Sequence, residues 1–576
     1  MKQDNKNFVL FAVIAALILF GWPVVQSRFF PVANPPVTKI VDGKTQVLPG
    51  KTADPTAGPT ADTPAATRDR RVVLAETPRV TIDTPTMLGS INLKGARIDD
   101  LVLKKYRETI AKNAPPVRLL SPAGATDSYF AAFGWRDDGL APPAADAVWT
   151  ASSPLLAPGK PVTLTATNAN GQRFAIEVSV DDNYMFSIRQ TVTNGGTRAV
   201  PVATYGLVNR SGISKDPDSW TIHTGPMSVN NGGANYAPNF KDLDKKDADL
   251  APQKFTTTGG WLGFTDKYWL TALLPDQARS FDGQFRAGAN NSYQADFTAA
   301  PQMLPPGRTL TQGARFFAGA KEVRLLDHYT DKENATKLDY AIDWGWFRLV
   351  EKPIFYYLDW LFRMVGNFGV AIILLTFTIR ALVFPIAQRQ YASMAHMRAV
   401  QPKMKLIQER YKDDKPRQQQ EIMALYKAEK VNPLAGCLPT LLQIPIFYAL
   451  YKVLMLTIEM RHQPFVGWIR DLSAPDPLTP VNLFGLLAFT PPHVIAIGVV
   501  PILLGISMYF QFKLNPTPMD ETQKQVFALM PWVLMFVMAP FAVGLQVYWI
   551  TTNCITILQQ RLLYARHPAL LEAPAK

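Results

Sequence analysis

Arg380 lies inside GNFGVAIILLTFTIRALVFPIAQRQ (366–390), a run otherwise apolar enough to cross a bilayer. Its guanidinium leaves the helix roughly 8 to 10 Å short of the polar flank at Gln388 and Arg389. A charge at that depth costs between about 3 and 15 kcal/mol unless it snorkels outward, meets a partner or faces water. Other hydrogen-bonding side chains recur in the apolar half: Thr376 and Thr378 beside Arg380, Gln443, and Gln546, Thr551, Thr552 and Asn553. Thr376 and Arg380 are four apart and share a helix face. None of these residues makes a nucleophile–base pair. The chemistry open to them is solvation, the lending of hydrogen bonds and positive charge to a polar group that must enter lipid. Taken singly, such residues serve as interhelical ties; taken together they can hydrate a cavity. Met455, Met508, Met530, Met535, Met538, Phe447, Tyr548 and Trp549 add a soft, aromatic surface suited to unrelated apolar partners.

Covalent and metal chemistry find no support. Cys437 and Cys554 are the two cysteines, far apart, and the six histidines include no HxxxH pair. Neither a GxSxG elbow nor a GxxxxGK[ST] loop occurs, and no cofactor is expected. The formal charge of +13 does not mark a DNA-binding domain, because residues 31–345 hold 34 Lys and Arg against 32 Asp and Glu. The surplus lies in the membrane-linked remainder.

The elements that must position these side chains follow in order. Residues 1–30 read as an amino-terminal transmembrane anchor, Phe8 to Val25 after Lys2 and Lys6, although a cleaved signal peptide has the same composition. Residues 31–67, rich in Pro, Ala and Thr, read as a flexible linker. Over 68–342, alternating runs such as RVTIDTPTMLGSINLKGARIDDLVLKKY and FAIEVSVDDNYMFSIRQTVTNGG predict a large antiparallel β-sandwich without disulfides. Core packing is the expected use of the aromatic residues in GGWLGFTDKYWL, ahead of a sugar site. Residues 343–363 mix Trp344, Trp346 and Trp360 with charges, as an interfacial amphipathic helix does. A second span is expected at 364–387 and a cytoplasmic helical hairpin at 388–432, which carries ten basic and five acidic residues and breaks at Lys412 to Pro416. Spans three to six fall in 433–564, the third interrupted by Pro439 and Pro445. The run Val526 to Leu558 is too long for one span and turns back at Pro540 to Gly544. A short tail, 565–576, ends in the cytoplasm. Two rival readings lack their signatures. A secondary transporter would show inverted repeats and charges on several spans. A carbohydrate-processing enzyme would show carboxylates paired for acid/base work, whereas Asp99 and Asp100, or Asp181 and Asp182, point to opposite faces of a strand.

TFTIRALVFPIAQRQYASMAHMRAVQPKMKLIQERYKDD, EIMALYKAEKVNPLAGCLPTLLQIPIFYALY, PFVGWIRDLSAPDP and ILQQRLLY closely resemble the YidC membrane protein insertase family of Gram-negative bacteria. The resemblance implies a polytopic α-helical membrane protein of six spans, with a five-helix insertase core and a large periplasmic all-β supersandwich. It further implies a hydrophilic groove open to cytoplasm and lipid but closed outward, capped by the cytoplasmic hairpin. By motif, Arg380 matches the groove arginine, Thr376 its neighbour and Gln443 the polar residue of the third span. Phe447 and Tyr548 match positions where substrate helices slide past, and Trp549 and Gln546 join the candidate groove. Implied partners are nascent membrane proteins, the lipid bilayer, a Sec translocon and the ribosome. The chain departs from the family pattern at Phe541 to Gly544, FAVG where FPSG is common, in carrying Lys452 in the outer third of a span, and in the short tail after Arg566.

Overall fold

A computed structural model of the chain describes residues 39–41, 44–46, 68–136, 139–215, 222–244, 253–288, 291–412, 414–429, 438–485, 487, 497–514 and 521–566. The expected anchor, 1–30, and most of the linker lie outside the described residues. Two units are formed: a β unit, Thr38–Gly345 with Leu456–Glu459, and a helical unit that includes Trp346–Met455 and Met460–Lys576.

In the β unit the alternating runs pair as antiparallel ladders. FAIEVSV places Phe174, Ile176, Val178 and Val180 inward on the strand Arg173–Val180. Asp181 then closes the turn to Met185–Thr193 by accepting the N–H groups of Asn183 and Met185. Among the described residues these strands belong to a nine-stranded sheet, while Arg79–Asp83, Met87–Asn92 and Arg97–Arg107 belong to a ten-stranded one. Rings bridge the two sheets edge to face: Tyr129 with Phe264, Phe133 with Phe316, and Trp135 with Phe174. Trp261 and Phe264 of the GGWLGFTDKYWL run are fully buried, in keeping with core packing.

One expectation fails here. A bulge lies between Ser90 and Ile91 where Met87–Asn92 pairs with Arg97–Arg107, so strict alternation is lost and Asp99 and Asp100 enter one network instead of opposite faces. Arg79 binds Asp99 and donates through Nε to Ser90 Oγ at 2.8 Å; Ser90 donates to Asp100 at 3.0 Å, and Arg70 pairs with Asp100. Burial raises the Asp99 carboxyl above its ordinary range, against the pull of Arg79. Both carboxylates are thus committed to arginines.

The helical unit begins with α1, Arg348–Val365, whose buried stripe includes Phe355, Leu358 and Leu361 while Leu349, Trp360 and Met364 are exposed. Gly366 ends it at φ 69°, its N–H donating to the Phe362 carbonyl, a conformation that glycine adopts at no steric cost. Asn367 caps α2, Phe368–Arg410, by accepting the Val370 N–H at 3.1 Å. The helix runs through the expected division at 387/388, so the apolar stretch and the first arm of the hairpin are one helix of 43 residues. No cap or glycine separates them, and Pro385 and Pro402 are accommodated within it. The hairpin closes with α3, Lys415–Ala428, capped by Asp414. Lys403 pairs with Glu429, Gln418 donates to the Gln408 carbonyl, and the Tyr426 hydroxyl donates to Met404 Sδ. Then come α4, Leu438–Leu456, continuous through Pro445 where an interruption was expected, α5, Val499–Leu514, α6, Glu521–Met538, and α7, Val543–Arg566. The turn between α6 and α7 falls at Ala539–Ala542, at the expected corner. Among the described residues Phe368–Ile386 is the segment long and apolar enough to span; Gln443–Leu456, Val499–Leu514 and Ala528–Met538 are shorter apolar stretches.

The β unit offers a direct test of its polar core. Arg210 is 6% exposed, pairs with Asp266 at 3.2 Å and lies over the rings of Tyr129, Phe240 and Phe264. Arg210→Leu leaves the Asp266 charge buried and should cost about 3 kcal/mol, read as a lower denaturant midpoint of the full chain in detergent by tryptophan fluorescence. Lys215→Ala, which breaks the exposed pair with Asp127, should leave that midpoint unchanged.

Candidate functional site

Three helices bring polar side chains to one place. Gln443 on α4 donates its Nε2–H to the Tyr548 hydroxyl on α7 at 2.6 Å. Tyr548 also lies within electrostatic reach of Arg380 on α2. Arg380 is half-buried, while Tyr548 is 2% exposed. An apolar shelf adjoins this cluster on the same two helices: the rings of Phe447 on α4 and Trp549 on α7 meet at 5.0 Å, tilted by 59°.

The helices fix these positions through local bonds. Thr376 is fully buried, and its hydroxyl donates to the Ile372 carbonyl at 2.7 Å, one turn before Arg380. Thr378 donates to the Leu374 carbonyl and shares a 2.9 Å bond with Tyr357 of α1, which ties α1 to α2 two residues from Arg380. Thr551 and Thr556 likewise bond back to their own helix, to the carbonyls of Val547 and Thr552.

Gln546 stands apart from this group. It is fully buried and donates at 2.9 Å both to the Met538 carbonyl, which also accepts the Phe541 N–H, and to the Phe541 carbonyl in the turn after α6. Two residues on a helix are about 200° apart, so Gln546 and Tyr548 cannot share a face. Asn553, seven residues on, donates to Ser507 of α5 at 2.8 Å, and Gln560, another seven on, is buried as well. Sequence reasoning missed this division of α7 into two polar faces, although the spacing of Gln546, Asn553 and Gln560 signals it. It also missed Tyr357, whose place beside Thr378 has no signature in spacing.

Residues 79–357 match a family model described as the YidC periplasmic domain, and residues 360–569 one described as a 60Kd inner membrane protein. The membrane protein insertase YidC of Zymomonas mobilis is 51% identical over 567 residues, covering 98% of this chain and 96% of that one. The chain belongs to the YidC family of membrane protein insertases. The YidC of Beijerinckia indica is 44% identical over 98% of this chain and 96% of its own. A crystal structure of an active YidC insertase with its first transmembrane domain resolved aligns over 96% of this chain and 99% of that one, with 15% identity and a TM-score of 0.36. YidC proteins are insertases of the bacterial inner membrane, so the chemistry to be explained is transfer of a hydrophobic segment between phases, not turnover of a covalent bond.

The two faces of α7 predict separable effects. Gln546→Leu removes the side-chain donor that ties α7 to the Met538 and Phe541 carbonyls and should cost about 1 kcal/mol, seen as a lower thermal midpoint by circular dichroism in detergent. Cysteines introduced at positions 447 and 549 should still cross-link in that variant. An unchanged midpoint would refute that tie.

Proposed function

We propose that the Arg380 cluster receives the polar flank of a nascent membrane protein while its hydrophobic segment enters from the lipid side. The supporting observation is the convergence of half-buried Arg380 with Gln443 and Tyr548 from three different helices. An acidic or polar flank resting there exchanges part of its lost hydration for hydrogen bonds and positive charge. Phe447 and Trp549 offer the adjoining apolar segment a surface, and Thr376 sets the helix face that carries Arg380. Release follows as the segment partitions into lipid, assisted for acidic flanks by the membrane potential.

In this reading the helical unit forms a groove open to cytoplasm and lipid and closed outward, with six spans and both termini cytoplasmic. The excess of basic residues over 388–432 supports a cytoplasmic hairpin, and the β unit then lies in the periplasm. The short apolar stretches of α5 and α6 favour a locally thinned bilayer. The same surface serves as a chaperone for segments not yet released, alone or beside a Sec translocon, with the ribosome delivering clients. No nucleotide enters the cycle.

Reconstitution in liposomes tests the arginine. Arg380→Leu should lower protease-protected insertion of a client with an acidic flank by roughly tenfold, equivalent to about 1.4 kcal/mol. A client with a neutral flank should be affected less, and Arg380→Lys should retain most activity on both. Equal loss for both clients in Arg380→Leu would overturn the charge-based reading.

A further inference from the structure

The loop between α4 and α5 gathers the amino ends of three helices. Asn367, the cap of α2, donates its Nδ2–H to the Phe465 carbonyl at 2.9 Å. The N–H groups of Val543 and Gly544, which open α7, donate to the carbonyls of Ala474 and Leu472, each at 2.9 Å. Val499 and Val500 open α5; Val499 N–H donates to the Leu478 carbonyl at 3.0 Å and Val500 N–H to Asp476 Oδ2 at 2.8 Å. The other carboxylate oxygen of Asp476 accepts the Trp468 indole N–H at 3.1 Å and the Leu478 N–H at 3.0 Å. Asp476 is buried, and its side chain fills the space over Gly498, where a Cβ would stand 2.5 Å from its own. Leu472, at the middle of the loop, is fully buried.

The orphan N–H groups at the starts of α5 and α7 thus find acceptors in one short segment, to which the side-chain amide of the α2 cap is also tied, and the positive ends of α5 and α7 meet its carbonyls and a buried carboxylate. Asp476 holds both sides of that segment, because its bonds to Trp468 and Leu478 enclose Leu472 and Ala474. We propose that Asp476 is the positioning residue that fixes the spacing of α2, α5 and α7 through this loop, and so holds the walls of the Arg380 site together and shut at the end away from the hairpin. The inference rests on the groove reading only for its consequence, since the clamp itself is a matter of backbone bonds.

Two measurements separate the two ideas. In the full chain in detergent or nanodiscs, Asp476→Leu should lower hydrogen-exchange protection about tenfold or more at 499–501 and, together with it, at 543–545. Asp476→Ser, which keeps a hydroxyl for the Val500 N–H, should retain protection at 499–501 and lose it at 543–545. Loss confined to 499–501 in Asp476→Leu, or no loss, would reduce Asp476 to a local cap and overturn the clamp. In a chain with Cys437→Ser and Cys554→Ser, a reporter Thr551→Cys should react with a membrane-impermeant maleimide from the hairpin side alone, and from both sides once Asp476→Leu is added. A reporter reached from neither side would sink the groove while leaving the exchange result to decide the clamp. Unchanged one-sided labelling would show that Asp476 does not shut the site.

Discussion

Hydrocarbon offers no hydrogen bonds, so every polar group in a membrane-embedded helix bundle must be satisfied by the chain itself or by water admitted on purpose. The helical unit meets this requirement in several ways. Threonine hydroxyls at 376, 378, 551 and 556 bond back to carbonyls one turn earlier. Gln546 donates to carbonyls at the turn between α6 and α7, and the loop before α5 takes N–H groups at the starts of α5 and α7 and the side-chain amide that caps α2. Arg380 is half-buried on α2, and the Tyr548 hydroxyl of α7 accepts the Gln443 amide of α4.

The β unit works under a different solvent and shows a different solution. Its strands alternate, its rings fill the space between two sheets, and its buried charges are matched within the fold: Arg210 by Asp266, Asp99 by Arg79, Asp296 by Arg286 at 2.9 Å. Such pairs are costly to break and modest in net stabilisation. Their carboxylates are held by arginines and amides and are not poised to exchange protons with a substrate. Asp99 and Asp100, brought into one network at a bulge, hold Arg79 and Arg70.

Much of this was legible in the sequence, and the failures have physical causes. Period-two runs such as FAIEVSV announced the sheets because one face of such a strand is buried, and the Pro540 to Gly544 corner followed from a length that no single span can accommodate. The continuity of α2 past residue 387 has no signature in polarity, which changes at Gln388 without any helix stop; a change of solvent is not a change of secondary structure. Pro445 was read as an interruption, yet a proline in a helix removes one bond and need not end it. The bulge at Asp99 could not be read, since it depends on the partner strand. Arg380, Gln443 and Tyr548 were drawn together from residue type and family resemblance; a 2.6 Å hydrogen bond joins Gln443 to Tyr548. Gln546 was grouped with them by polarity alone, where helix angle should have separated it.

That separation explains how α7 can carry so many polar residues. One face, with Gln546 and Asn553, is committed to α6 and α5 through bonds of 2.8 to 2.9 Å; the other, with Tyr548 and Thr552, faces Gln443 and Arg380. A wet surface inside a membrane tends to collapse, because apolar side chains from neighbouring helices gain by covering it. Collapse is resisted when the helix that bears the surface cannot rotate, and amides seven residues apart on the opposite face oppose rotation along its length. On the proposed function, the buried amides are therefore as much a part of the receiving surface as the arginine, because they set which way its polar groups point before a client arrives.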